Sequence, residues 1–336
     1  MECFVTGATG FIGSNLVHEL VAQGHRVRVL MRPSATDLRA LAGVKYDAVS
    51  GDLNDIAALR KGMDGCDWCF HVAASYHLWM RDYRPMFEAN VTGTRNVLEA
   101  AAHAGCTRVV YTSTVGCIGT PKPTLGQVVP SDELRVVSEK EMKNPYKQSK
   151  WRAEQIANEY AHKGIPVVIV NPSAPIGPRD VKPTPTGQVI VDFLNRAMPA
   201  YIETGLNWVH VRDVALGHIL AAKRGKIGER YILGNSQGNM TMKEVFDLLE
   251  EMTGIPGPHR KVPYAAALTA GYLNAIFSWV TGIPPKAPLA GVRMARQLMY
   301  FNPAKAIRDL GLPQTPVKQA LADAVEWYRA NGYVKK

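Results

Sequence analysis

Apolar runs and polar breaks alternate along the first two thirds of the chain at two different spacings. Short apolar runs at 1–6, 26–31, 47–49, 69–73, 108–112 and 167–171 read as buried strands. Between them apolar residues recur every three or four positions, as Ile12, Leu16 and Leu20 do, which marks one face of a helix. Helices are expected over 90–104 and from Tyr146 towards Tyr160. Strands that alternate with helices predict a doubly wound parallel α/β sheet, and such a sheet binds its ligands at the carboxyl ends of the strands. Further on, 208–211 and 231–233 read as short strands, 242–253 as an amphipathic helix and 317–331 as a closing helix. Proline lacks an N–H and fixes its own torsion, so the proline-rich stretch 172–187 is expected to be an irregular, substrate-facing loop.

Composition narrows the classes. A chain of 336 residues has room for about two domains. With 46% apolar and 20% charged residues it can bury a core, and disorder is excluded. Thirty-nine lysines and arginines against 29 acids give +10, which suits anionic ligands or an anionic membrane surface. Nucleic acid is not expected, because no aromatic and basic residues interleave and no run of five like charges occurs. Five cysteines are too few for a disulfide framework and point to a reducing compartment, the cytoplasm. Cys66 and Cys69 stand alone as a C-x-x-C, with no second pair at zinc spacing, so they are read as structural and no metal is expected. Residues 1–15 lack a basic region and do not read as a signal peptide.

The candidate chemistry begins where the first strand ends, at Gly7-Ala8-Thr9-Gly10-Phe11-Ile12-Gly13. A glycine turn between strand and helix lets a pyrophosphate approach the backbone and rest on free helix N–H groups. This makes the sheet Rossmann-type and assigns Gly7, Thr9, Gly10, Phe11 and Ile12 to a dinucleotide. The second strand ends in Met31-Arg32-Pro33-Ser34, with no acid for a ribose 2′-hydroxyl and an arginine placed for a 2′-phosphate. NADP(H) is therefore the expected cofactor and NAD(H) the alternative. Asp52 and Leu53 follow the third strand and are placed to meet the adenine, while Asp55 is read as a helix cap. The later strand ends, Val72-Ala73-Ala74 and Thr112-Ser113, face the same crevice; His71 is read as structural. Tyr146 and Lys150 share a helix face at four-residue spacing, so the ammonium, together with the positive nicotinamide of oxidised cofactor, is expected to lower the phenol's pKa. Thr114 ends the fifth strand and can offer a hydrogen bond to a substrate oxygen as charge develops on it.

These motifs, with Gly51-Asp52-Leu53, Asn90-Val91-Thr92-Gly93-Thr94, Tyr111-Thr112-Ser113-Thr114 and His210-Val211-x-Asp213-Val214-Ala215, resemble the extended short-chain dehydrogenase/reductase superfamily over nearly the whole chain. The run from Asn171 to Asp180, followed by Lys182-Pro183-Thr184-Pro185-Thr186-Gly187, is similar to the hopanoid-associated sugar epimerase subgroup, itself similar to dihydroflavonol 4-reductases. The resemblance implies catalytic Thr114, Tyr146 and Lys150, Asn90 near the nicotinamide ribose, Pro172 and Ser173 beside the nicotinamide, and a homodimer formed through two helices. Sugar-nucleotide epimerases of the superfamily usually carry an acid where this chain has Met31 and Arg32, a departure that resembles the reductases.

The pattern divides the chain into a dinucleotide-binding part, 1–172 with 205–235 returning to it, and a smaller, mostly helical substrate part, 173–204 with 236–336. Within the latter, 263–285 is nearly uncharged and is flanked by Arg260, Lys261, Lys286, Arg293 and Arg296. Its run from Tyr264 to Val280, about seventeen residues, stands at the lower edge for a membrane span and reads as a packed helix or as a surface that touches a membrane or a long apolar substrate. Tyr76, His77, Leu78 and Trp79 are candidates for an apolar pocket wall. The expected function is NADP-dependent reduction of a ketone or aldehyde on an amphipathic, lipid-like molecule, in the cytoplasm or at the inner face of the membrane. The alternatives are a sugar or polyol epimerase with tightly bound NAD(P) and a non-catalytic cofactor sensor.

Overall fold

The computed structural model of the protein describes residues 1–121, 123–124, 127–285 and 288–335. Lys286, one of the basic flank of 263–285, lies outside the described residues.

Seven parallel strands form the main sheet in the spatial order Arg230–Leu233, Val167–Pro172, Arg108–Thr112, Trp68–His71, Glu2–Thr6, Arg26–Met31, Asp47–Ser50. The order reverses between Trp68–His71 and Glu2–Thr6, and an open α/β sheet has its crevice at such a reversal. Both faces are covered. Helices Phe11–Ala22 and Val211–Arg224 pack on one side around Val5, Val29, Phe70, Val110 and Val170. Helices Ile56–Met63, Gly93–His103 and Pro145–His162 pack on the other around Phe4, Cys69, Val109, Tyr111 and Ile169. Burial on both faces explains why these strands read as continuous apolar runs rather than as alternating ones.

A third core lies away from this sheet. Trp208, fully buried, is surrounded by helices Pro185–Leu194, Met242–Thr253 and Val317–Ala330. Trp208 belongs to strand Gly205–His210, which pairs with Asn239–Thr241, Leu298–Met299 and Ala174–Ile176 in a second sheet.

Two expectations need correcting. The stretch 172–187 is not irregular throughout: Ala174–Ile176 is a strand, and helix Pro185–Leu194 begins inside it. The Thr184 side chain caps that helix by accepting from the Gly187 N–H, and Pro185 occupies the first turn, where its missing N–H costs nothing. The expected strand 208–211 is shifted to Gly205–His210, because Val211 already starts a helix capped by the His210 ring. All five cysteines are free and buried.

Candidate active site at the strand ends

A cavity of about 770 Å³ lies along the carboxyl ends of the parallel strands. Its walls bring together Gly7, Thr9, Gly10, Phe11, Ile12, Arg32, Asp52, Leu53, Val72, Ala73, Ala74, Ser113, Thr114, Tyr146, Pro172 and Ser173. Three expected site residues do not line it. Thr112 is directed to the opposite side of the strand, where its hydroxyl pairs with His218 Nε2 at 2.8 Å. Asn90 is buried, with its amide donating to Ser149 Oγ and the Ser75 carbonyl and its oxygen accepting from the Ser75 N–H. It joins helix Pro145–His162 to the loop that carries Tyr76. Lys150 is 2% exposed and donates from Nζ to the Thr112 carbonyl at 2.7 Å, with the ammonium 4.6 Å from the Tyr111 ring centre.

The glycine turn is shaped for close approach. Gly7 has φ +75°, and a side chain there would meet the Ala73 N at 2.6 Å; one at Gly13 would meet the Gly7 carbonyl oxygen at 2.1 Å. Helix Phe11–Ala22 therefore sits directly on the turn, and its cap residue Gly10 offers no side-chain oxygen to the first N–H groups. Backbone donors left free beside a bare turn fit a pyrophosphate. Arg32 is exposed at one end of the cavity, where Asp52 holds the following turn by accepting from the Asn54 N–H. Asp55 caps the next helix as expected.

At the other end the phenol of Tyr146 packs edge-on against the Tyr76 ring, 4.5 Å between centres. Burial pushes its pKa well above the usual range, with Tyr76 and Cys117 adding to the rise, while a hydrogen bond with Thr114 pulls the other way. The lowering expected from Lys150 together with an oxidised nicotinamide does not show in the protein by itself, where burial sets the phenol. Burial also brings Lys150 down to about 8 and His71 down to about 3, so His71 is neutral between Thr6 and Thr94.

Beneath these groups lies a network that the sequence reading missed. Glu154, 1% exposed, accepts from the Ser113 hydroxyl, from Asn171 Nδ2 at 2.9 Å and from Arg230 at 3.2 Å. Asn171 also donates to the Thr114 carbonyl at 3.0 Å, which ties the strand tip to the buried carboxylate. Glu154 stands four residues after Lys150 and eight after Tyr146, a helical spacing that was available to reveal it. Also missed were Lys147, whose pKa burial lowers, and the distal wall of Leu206, Asn207, Met294, Met299 and Phe301. Of the candidate apolar wall, Tyr76 and His77 line the cavity and Leu78 and Trp79 do not.

Residues 3–234 match the model of the NAD dependent epimerase/dehydratase family. The chain belongs to that family. It is 47% identical over 99% of its length to a Synechocystis protein named "Putative dihydroflavonol 4-reductase", of which it covers 96%. It is 33% identical to sterol demethylase protein B of Methylococcus capsulatus, with 99% of this chain and 100% of that one covered. Among solved structures, a nucleoside-diphosphate-sugar epimerase from Pseudomonas aeruginosa superposes with a TM-score of 0.81 at 26% identity, over 100% of this chain and 99% of the other. This family member is an NAD(P)-dependent oxidoreductase that takes a small-molecule substrate and a nicotinamide cofactor. Among its described residues, no helix is long and apolar enough to cross a membrane.

Proposed function

We propose that the chain reduces a ketone or aldehyde on an amphipathic, lipid-like molecule with NADPH, as a homodimer in the cytoplasm or at the inner face of the membrane. One observation carries this reading. The cavity has hydroxyl groups at its base, an arginine and no facing acid beyond Asp52 at its adenosine end, and a distal wall of Leu206, Met294, Met299 and Phe301 whose one polar member, Asn207, donates its amide to Asn235, Asn239 and Phe301. A sugar would leave its many hydroxyls unpaired against such a wall, whereas a ring system or a prenyl chain gains by burial there.

In this reading residues 1–172 with 205–235 hold the cofactor and 173–204 with 236–336 supply the substrate wall, except that Leu206 joins that wall and Ser173 faces the cofactor. The bound nicotinamide supplies the hydride. Gly7, Thr9, Gly10, Phe11 and Ile12 receive the pyrophosphate, Arg32 the 2′-phosphate, Asp52 and Leu53 the adenine, and Val72, Ala73, Ala74, Pro172 and Ser173 the remainder. Thr114 orients the carbonyl oxygen by hydrogen bonding, and Tyr146 delivers the proton to that oxygen as negative charge develops on it. Ser113 faces the cavity beside Thr114, while Lys150, Asn90 and Thr112 act one layer below, through the peptide groups and helix that carry Thr114 and Tyr146.

The test is NADPH absorbance followed with purified protein over steroid ketones, prenylated quinones, flavonoid ketones and nucleotide sugars. Turnover of an apolar carbonyl is expected, falling by about 10²- to 10⁴-fold in Tyr146→Phe with little change in NADPH affinity. Isomerisation of a nucleotide sugar with no net NADPH oxidation would replace the reductase reading with the epimerase.

A further inference from the structure

Helix Tyr264–Thr281 is turned inside out. Its buried positions are small, Ala267, Gly271 and Ser278, whereas Tyr272, Leu273, Ile276, Phe277, Trp279 and Val280 are 46–79% exposed. At 100° per residue the small residues share one narrow stripe and the large apolar ones spread over the opposite face. The small stripe seats the helix on its neighbour Leu289–Met294, since a side chain at Gly271 would meet Leu289 at 3.2 Å and Val292 at 3.4 Å. So large an apolar face is seldom left to water.

Charge decides what covers it. Residues 252–308 contain no aspartate or glutamate and seven lysines or arginines. Lys261, Lys305 and Arg308 pair with acids from outside that stretch. Among the described residues Arg293 and Arg296 have no carboxylate partner, and their guanidiniums lie over Tyr272 and Tyr264 at 5.5 and 5.6 Å from the ring centres. A twofold contact with a second copy would set this patch on itself and bring these cations together with no acid of the stretch to pair them. An anionic lipid surface offers acyl chains to the apolar face and phosphates to the arginines.

We infer that helix Tyr264–Thr281 docks flat on an anionic lipid bilayer, with Leu273, Ile276, Phe277 and Val280 entering the acyl boundary and Arg293 and Arg296 meeting lipid phosphates. Over 18 residues the helix lies along about 27 Å of surface. The docking places the cavity at the membrane. Met294, at the end of the neighbouring helix, lines the cavity, and the loop that contributes Tyr76 and His77 reaches both helices, through Leu78 near Gly291 and Arg81 near Gly282. Only the purpose of the docking, access to a lipid-like carbonyl, rests on the proposed function; the contact itself is measurable without turnover.

The test uses the full chain with vesicles of phosphatidylcholine alone or mixed with phosphatidylglycerol, separated by sedimentation. Binding at least about tenfold tighter to the mixed vesicles is expected, and it weakens with salt. Each of Arg293→Gln and Arg296→Gln weakens it about fivefold. Phe277→Glu combined with Val280→Glu lowers it more than about tenfold, with unchanged circular dichroism because both sites face outward. Trp279→Phe removes a blue shift in emission seen when the wild type binds. The inference is overturned by no binding to either vesicle, by undiminished binding of the double glutamate variant, or by a wild-type dimer that this variant converts to monomer. Failure here leaves NADPH-dependent reduction standing, and a silent substrate panel leaves the vesicle result standing.

Discussion

Burial and the hydrogen bond with Thr114 pull Tyr146 in opposite directions, and the phenol ends well above its ordinary range. Held protonated, it is better suited to give a proton than to take one, which agrees with reduction as the working direction. Lys150 moves the other way, from about 10.4 in open chain to about 8. Between those pH values the unfolded chain keeps a proton that the folded protein has lost, so this lysine's contribution to stability rises with pH there. The ammonium that holds the Thr112 carbonyl beneath the site is lost over the same window. Turnover is therefore expected to decline as pH rises through about 8, with no parallel loss of fold arising from this group. In Lys150→Arg the guanidinium stays charged, and the decline moves to higher pH. An unmoved alkaline limb in that variant would assign the titration to another group.

The glycine turn and its helix act as one element, and the contact between them is testable with a pair of glycines. Gly13 sits where a methyl group would strike the Gly7 carbonyl, so Gly13→Ala must push the helix away from the turn. A cost of about 1–3 kcal/mol is expected, together with weakened cofactor binding. Gly24, beyond the far end of the same helix, has φ +77° and nothing within 4 Å of an added methyl. Gly24→Ala should cost about 1–2 kcal/mol through the backbone alone and leave cofactor affinity unchanged; equal loss of affinity in both, measured by fluorescence titration, would remove the turn from the site. Features of this local kind were readable in advance, because Gly7 to Gly13 state their geometry by spacing. Thr112 was not, since adjacent strand residues face opposite ways and a run of Thr112, Ser113 and Thr114 does not announce which of them faces the crevice. The Asn171 and Arg230 contacts to Glu154, and the wall from Leu206 to Phe301, are made across long separations that no local pattern encodes. The helix starting at Pro185 was hidden by weighing proline as a breaker while its favoured place in a first helical turn went uncounted.

Across the whole molecule the cavity is walled by both sheets: the turns after the parallel strands form one side, and Leu206, Asn207 and Met299 of the second sheet form the other. A ligand that fills it binds the two layers to each other, so its binding energy adds to the stability of the entire fold rather than to a local segment. At one hundred times its dissociation constant NADPH should stabilise the protein by about 2.7 kcal/mol, which for a chain of this length raises the midpoint of thermal unfolding by about 4 °C, in a single transition. Arg32 makes that shift selective. A charged hydrogen bond to the 2′-phosphate is worth about 1.5–3 kcal/mol, so Arg32→Ala should bind NADPH about 10- to 100-fold more weakly and keep only about 1–2 °C of the shift at the same NADPH concentration. NADH, which has no 2′-phosphate, should shift wild type and variant equally. Scanning calorimetry with each nucleotide decides the point: equal shifts by NADPH and NADH in the wild type would take the arginine away from the cofactor and with it the argument for NADP.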